Sequence, residues 1–363
     1  AAGALLFPVA QGGTGGGGNI MSFTTGGGIS IAAALGGTLG AMPDGALRAA
    51  GAGCYRVGGR GGGSVPRPVF RPPPPAALVV AYSTSAGSLA EGPLVLGVDG
   101  LYYGIGREGG ASSRGAIYKV TTAGVRTRII SFTGTAGAAP GGKPCGPLVL
   151  AADGNFYGIT EEGGTANTGV IFRLTPAGAY AVMHHFGSTG PRLPLGGWAI
   201  GTDGALHGTT SAGGTADAGT MIRFFPATNT LEVLGEFTGQ AGAVPGFLPA
   251  GELRVGAGGA GYCTTVRGGA AGEGTGFRYT TGTGLQSLVE FTGAAGAAPG
   301  SAADTDGAGL NFTGGLVFGS DGKLYGVAAG GGAEGGGVVY RITISAPISD
   351  WKLAHLGDAN APD

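Results

Sequence analysis

The stretch Asp153-Gly154-Asn155-Phe156-Tyr157-Gly158-Ile159-Thr160-Glu161-Glu162-Gly163-Gly164, a short loop, and then Gly169-Val170-Ile171-Phe172-Arg173-Leu174-Thr175 recurs along the whole chain. Clear copies begin at Asp99, Asp153, Asp203 and Asp321, and a weaker one at Gly258. Two eroded copies come first. Asp44-Gly45-Ala46-Leu47 leads into Cys54-Tyr55-Arg56-Val57, and Ala2-Gly3-Ala4-Leu5 aligns without gaps on Asp203-Gly204-Ala205-Leu206. Seven copies starting 42 to 63 residues apart fall in the range where a repeat means a propeller or a solenoid.

Within one copy four short strands can be drawn: Pro147 to Leu150, Phe156 to Thr160, Val170 to Thr175 and Ala181 to Phe186. Asp153-Gly154 is a hairpin signal between the first two. In the third, Val170, Phe172 and Leu174 alternate with Ile171 and Arg173, the period of a strand. A Phe-Thr/Gly-Gly/Ser turn closes the fourth at Phe132, Phe186, Phe237 and Phe291. No segment sustains a helical period. The expected fold is therefore an all-β propeller of four-stranded antiparallel blades, seven favoured and six possible, an architecture that protects sheet edges.

The propeller is expected to occupy residues 1–344, with eroded repeats over 1–91 and clear ones over 92–344. Arg60 to Pro75, with Arg67, Arg71 and four consecutive prolines, reads as an inserted polyproline II loop. Residues 345–363 read as a polar linker. On this reading the first blade lacks its inner strand and the last its outer strand, leaving an edge open to pairing. The opening Ala1-Ala2-Gly3 suits a mature chain whose export signal has been removed.

Glycine accounts for 85 of 363 residues, yet no Gly-X-Y period exists, which excludes collagen, and aromatics at fixed repeat positions argue against disorder. Only 11% of residues are charged, with a net charge of -1, so the basic face of a nucleic-acid binder is missing. No apolar run approaches a membrane span. Cys54, Cys145 and Cys263 form no CxxC pair and read as small buried hydrophobes.

The pattern Asp-Gly-x-Leu/Phe-Tyr-Gly-x-Thr-x-x-Gly-Gly, followed by Gly-x-x-Phe/Tyr-Arg/Lys, resembles the GloVer tandem repeat of secreted bacterial proteins over most of Gly92 to Thr343. The tail Asp350-Trp351-Lys352-Leu353-Ala354-His355-Leu356-Gly357 resembles the linker that precedes a surface-anchor region in such proteins. The resemblance implies a propeller-like fold and an extracellular or cell-surface location. It implies no activity and no catalytic residues.

One spacing in the repeat carries chemistry. Tyr103 and Lys119, Tyr157 and Arg173, His207 and Arg223, Tyr262 and Arg278, and Tyr325 and Arg341 are each 16 residues apart. A hairpin centred between them places each pair directly across a ladder, where a cation beside an aromatic ring gains about 0.5–2 kcal/mol. The first copy has Leu6 and Ser22 there. The pairs serve either as a structural ladder or as the lining of a ligand channel.

Other features read as structural. The Asp-Gly carboxylates Asp44, Asp99, Asp153, Asp203 and Asp321 serve turns; Glu108, Glu161 and Glu162 are loop residues. Gly104 to Gly109 matches a dinucleotide fingerprint but leads into a hairpin instead of a helix. Asp304 to Gly315 lacks the Glu that ends a calcium loop. Four histidines give no metal motif, His184 and His185 pointing to opposite faces, and Trp198 suits a core. No catalytic residue, cofactor or metal is called for. The functional expectation is a non-catalytic propeller that binds a surface glycan or matrix. One alternative is a self-assembling filament or layer subunit joined through the unfilled blade edge. Another is an extracellular polysaccharide lyase or hydrolase, with His207, Tyr157 and Arg173 as its only suggestive residues.

Overall fold

The copy that opens at Asp153 shows how the repeat becomes a sheet. Gly154 adopts φ 76°, a left-handed conformation that glycine takes at no steric cost. Its N–H reaches the Ala151 carbonyl at 3.0 Å, and Asp153 Oδ1 accepts the Asn155 amide at 3.0 Å. This turn reverses the chain between Gly142–Leu150 and Phe156–Glu162, which pair with Val170–Leu174 and Tyr180–His185 in one antiparallel sheet. The four strands expected in this copy lie on these segments, the first starting earlier.

The computed structural model of the chain describes residues 4–9, 19–24, 29–34, 48–49, 55–56, 67–71, 79–84, 90–121, 125–256, 258–293, 316–328, 338–344 and 351–358. These residues form seven sheets and no helix. Blade one contains β1 (Ala4–Val9), β2 (Asn19–Thr24), β3 (Ile29–Ala34) and β4 (Arg48–Ala49), and blade two β5 (Tyr55–Arg56), β6 (Arg67–Arg71) and β7 (Val79–Thr84). Blade three has β8 (Ala90–Leu96), β9 (Tyr102–Gly106), β10 (Ala116–Val120) and β11 (Arg126–Ser131). Blade four is β12 (Gly142–Leu150), β13 (Phe156–Glu162), β14 (Val170–Leu174) and β15 (Tyr180–His185). Blade five is β16 (Ala199–Ile200), β17 (Leu206–Thr210), β18 (Thr220–Phe225) and β19 (Thr230–Glu236). In blade six, β20 (Phe247–Pro249) and β21 (Arg254–Val255) both pair with β22 (Gly261–Arg267), followed by β23 (Thr275–Thr280) and β24 (Gly284–Glu290). Blade seven is β25 (Val317–Phe318), β26 (Leu324–Ala328), β27 (Val338–Ile344) and β28 (Trp351–Asp358). β25 of the last blade lies against β4 of the first, so the ring closes.

Three expectations about the ends are corrected. The segment read as a linker supplies β28, which pairs with all of β27, from Val338↔Asp358 to Ile344↔Trp351. The cause is burial: Val338, Val339, Tyr340 and Ile342 are at most 1% exposed, and a strand buried on both faces needs partners along both edges. Blade one gains its inner strand from β4, paired as Leu5↔Ala49 and Leu6↔Arg48. The presumed polyproline insertion contributes β6, with Tyr55↔Phe70 and Arg56↔Val69 as partners; Pro68 falls where β5 has ended, a position proline tolerates. The unfilled edge of the last blade, on which self-assembly rested, does not exist.

One irregularity recurs in all seven blades. The pairing of the two outermost strands skips one residue of the outer strand: Ala32, Ala81, Ile129, Met183, Leu234, Leu288 and Leu356. A bulge bends its strand and raises the local twist, which gives each outer strand the curvature of the rim. Its presence in blades one, two and seven marks them as members of the same repeat.

The core lies between blades. Tyr103, Ile105, Ile117 and Phe132 of blade three pack on Leu148, Phe156, Val170, Phe172 and Leu174 of blade four. Equivalent clusters fill the next three junctions. In blades three to six the phenylalanine that closes the outer strand packs against the following blade. Phe132 meets Phe172 at 5.4 Å between centroids, Phe237 meets Phe277 at 4.7 Å, and Phe291 meets Tyr340 at 5.1 Å, all edge-on. Such pairs add about 0.5–1.5 kcal/mol beyond the area they bury.

Candidate functional site

The five pairs 16 residues apart face one another in register: Lys119↔Tyr103, Tyr157↔Arg173, His207↔Arg223, Tyr262↔Arg278 and Tyr325↔Arg341. Blade one has Leu6↔Ser22 at this place. The ring positions are sealed: Tyr103 and Tyr325 are 0% exposed, Tyr157 1%, His207 6% and Tyr262 7%. At these five positions the rings are therefore packed inside the sheets.

What satisfies the hydroxyls is the turn carboxylate of the same blade. Tyr103 donates to Asp99 Oδ2 at 2.7 Å, Tyr157 to Asp153 Oδ2 at 2.8 Å and Tyr325 to Asp321 Oδ2 at 2.8 Å. The main attraction is thus hydroxyl to carboxylate, where a cation–π contact was expected. Its origin is the offset of four residues, which swings the Asp side chain back over the ring. Burial, then the Asp153 bond, pushes the Tyr157 hydroxyl up to about 12. Burial works to raise Asp153 too, but the bonds from Asn155 and Tyr157 and the charge of Arg173 outweigh it, leaving Asp153 below the usual carboxylate range. In blade five His207 replaces tyrosine, with Nε2 3.3 Å from Asp203 Oδ1. Burial holds its imidazole below the ordinary histidine value against the opposing pull of Asp203. Arg223 completes this network, binding Asp203 Oδ2 at 3.2 Å and Glu232 Oε2 at 2.6 Å. These groups tie each turn to the strands of its own blade.

Antiparallel order puts the Asp-Gly turns at one end of the ring and the Gly-Gly loops, with the connections between blades, at the other. The loops owe their glycines to close approach: a Cβ on Gly163 would lie 2.5 Å from the Gly141 backbone, and one on Gly213 2.3 Å from the Gly190 carbonyl. Neighbouring loops are thereby locked, as by Gly164 N–H to Gly134 O at 3.1 Å. Lys143, Leu193 and Leu248 each adopt φ near 50° (48°, 53° and 56°) one residue before a proline in successive connections, a strained conformation for a side-chain-bearing residue.

On this rigid end one group of side chains departs from the repeat. Arg107 binds Glu161 across the junction of blades three and four, and Lys143 Nζ binds Glu162 Oε1 at 2.5 Å with Arg114 Nη1 3.9 Å from Glu162 Oε2. The positions equivalent to Arg107 and Glu161 are Ser211 in blade five and Val266 in blade six. The Arg114 and Lys143 side chains remain 44% and 43% exposed, and Glu162 28%. The cluster offers cationic donors and carboxylate acceptors at fixed spacing, the chemistry of a polar, hydroxyl-rich ligand. Sequence reasoning placed Glu161 and Glu162 in solvated loops and missed their cationic partners, which come from the preceding blade and from β12. The signal available was the rarity of charge elsewhere in the chain.

The remaining candidates are structural. Trp198 is 2% exposed among Phe186, Leu206, Ile222 and Phe224. Cys145 and Cys263 are buried, their thiols donating to the Pro194 and Gly251 carbonyls at 3.0 Å each. His184 packs edge-on against Phe186, while His185 Nδ1 accepts the Thr165 amide at 3.3 Å. The segment after Gly104 continues into a loop and β10. No group of three metal-ligating side chains occurs among the described residues, and no described helix could cross a membrane. Asp44, Cys54 and the Asp304 loop lie outside the described residues.

The Gloeobacter/Verrucomicrobia repeat matches residues 143–355 of the chain. No curated protein shows a match. Among solved structures, an oligogalacturonate lyase in complex with manganese superposes with a TM-score of 0.58 at 13% identity, covering 96% of this chain and 88% of its own. A puromycin hydrolase S511A mutant reaches 0.56 at 13% identity, covering all of this chain and 53% of the hydrolase. These likenesses establish a propeller architecture and nothing about chemistry.

Proposed function

The chain belongs to the Gloeobacter/Verrucomicrobia repeat family, and from that premise we propose that it is a non-catalytic binding propeller acting outside the cell. Its partner is a surface glycan or matrix polysaccharide, held at the loop end of blades three and four. The observation that carries this reading is the Lys143–Glu162–Arg114 cluster, whose charges stay partly exposed beside the largely buried Arg107–Glu161 pair on a chain with only 11% charged residues. Interlocked glycine loops support it by fixing the backbone beneath the cluster, so that little ordering entropy opposes binding. Exposed cation and carboxylate groups side by side can bond sugar hydroxyls and acidic substituents without any proton transfer.

The reading is tested by binding of the purified protein to a panel of neutral and acidic polysaccharides, with Arg114→Glu/Lys143→Glu as the comparison. The expected result is measurable binding to at least one polymer, weakened about tenfold or more by the double substitution, roughly the loss of one charge-assisted bond. Unchanged binding by the variant overturns the assignment of the site. Depolymerisation of polygalacturonate or any other bound polymer overturns the non-catalytic reading. Fractionation of the source cells checks the location, and retention of all the protein in the cytoplasm contradicts it.

A further inference from the structure

We propose that blade six binds a carboxylate from outside the chain, at the turn end between Tyr262 and Arg278, where the other clear blades carry an aspartate of their own. This site lies at the opposite end from the loop cluster and does not depend on the reading given for it.

The geometry of blade six repeats that of its neighbours. Gly259 has φ 77°, matching Gly154 at 76° and Gly322 at 75°. Its N–H bonds the Gly256 carbonyl at 2.9 Å, as Gly322 bonds Gly319 at 3.0 Å. Tyr262 and Arg278 are opposite each other in register, like Tyr157 and Arg173. The turn is therefore intact, and only its acidic residue is replaced, by Gly258. A Cβ built on Gly258 meets nothing within 4 Å, and the residue is exposed.

The second acidic position is lost as well. Arg223 of blade five is held by two carboxylates, Asp203 and Glu232. In blade six the counterpart of Glu232 is Gln286, whose Oε1 accepts Arg278 Nη2 at 3.0 Å. Arg278 is 3% exposed, and among the described residues no carboxylate forms an ion pair with it. Its Nε is buried without a partner. Arg173 and Arg341 share that unbonded Nε, but their blades keep Asp153 and Asp321 bonded to the facing tyrosines. What sets Arg278 apart is a buried positive charge with no negative one beside it, an arrangement that is costly unless a counter-ion arrives.

The side chain missing from Gly258 is, atom for atom, a tethered acetate. A free carboxylate entering there would accept the Tyr262 hydroxyl through one oxygen, as Asp153 accepts Tyr157, and the Arg278 guanidinium through the other. Because Gly258 is exposed, the carbon bearing the carboxylate can extend into solvent. Simple carboxylates and the carboxyl group of a uronic acid share this chemistry.

The test is thermal unfolding of the full chain in sodium acetate against sodium chloride at equal ionic strength, with Gly258→Asp as the comparison. The expected result is a saturable acetate-dependent rise in Tm, of about 3 °C at a hundred times the dissociation constant. Gly258→Asp should raise Tm in the absence of acetate and abolish the response, because it supplies the anion in cis. Glucuronate acting at tenfold lower concentration than acetate, with glucose inactive, assigns the site to acidic sugars. Glucuronate no better than acetate assigns it to simple carboxylates. An equal effect of chloride, no acetate response, or a response that survives in Gly258→Asp overturns the proposal.

Discussion

Removing one oxygen from the ladder, by Tyr157→Phe, isolates what the turn carboxylates do. Tyr157 is 1% exposed and donates to Asp153 Oδ2 at 2.8 Å. A hydrogen bond to a charged group contributes about 1.5–3 kcal/mol, and the exposure of Asp153 to solvent reduces this to about 1–1.5 kcal/mol. The ring stays in place, so no cavity forms. Asp153 keeps its bonds from the Asn155 amide at 3.0 Å and side chain at 2.9 Å, so no buried carboxylate is orphaned. Urea unfolding of Tyr157→Phe, Asp153→Ala and the double variant should give a coupling of about 1 kcal/mol, beyond the 0.3–0.5 kcal/mol expected of independent sites. The pH dependence has a definite sign. The folded state holds the Asp153 carboxyl below its ordinary value, so its contribution is complete above about pH 4 and is lost as pH falls through the folded value. The deficit of Tyr157→Phe should therefore be constant near neutrality and shrink in acid. Additive single effects, or a Tyr157→Phe variant as stable as the parent, would refute the account of the ladder.

His207→Tyr restores the repeat in blade five. Folding lowers the pKa of His207, chiefly by burial, so stability is full above about pH 6.5 and falls as acid charges the unfolded chain first. The variant should lose less stability between pH 7 and pH 5 than the parent, measured by Tm at both; parallel losses would show that His207 does not titrate as described. Phe237→Ala empties a 0% exposed site that meets Phe277 at 4.7 Å and should cost about 3–5 kcal/mol, read by chemical denaturation. A loss under 1 kcal/mol would mean that this junction is not packed. Truncation after Ile344 removes β28 and bares the edge of β27; light scattering should then detect association that the full chain does not show, and a soluble, equally stable product would contradict the strand assignment.

The sequence disclosed the repeating unit because its cues are local. Asp153-Gly154 marks a turn, Val170, Phe172 and Leu174 mark a strand, and the spacing of 16 fixes the facing of Tyr157 and Arg173. It misled at the ends, where local cues fade. Trp351 to Leu356 carries no turn signal and reads as a linker, yet the need of β27 for an outer partner makes it a strand. The seven bulges were invisible because they are a property of pairing, with residues as different as Ala32 and Met183 at the skipped place. The loop cluster was half legible. Glu161 and Glu162 stood out as acids, but Arg107 is 54 residues from the carboxylate it binds, a contact that exists only once adjacent blades have docked. The exchange of Asp for Gly258 was readable as an eroded copy, and only the burial of Arg278 gave that erosion a chemical meaning.

Hydrogen exchange resolved along the chain tests most directly the claim that all seven copies, ends included, form one closed ring. The account predicts that amides of β1, β2 and β28 are protected to within about one order of magnitude of those in β13 and β14, because a closed ring opens as a cooperative unit. Exchange of residues 351–358, or of 4–9 and 19–24, at the rate of a free chain, while blades four and five stay protected, would contradict it.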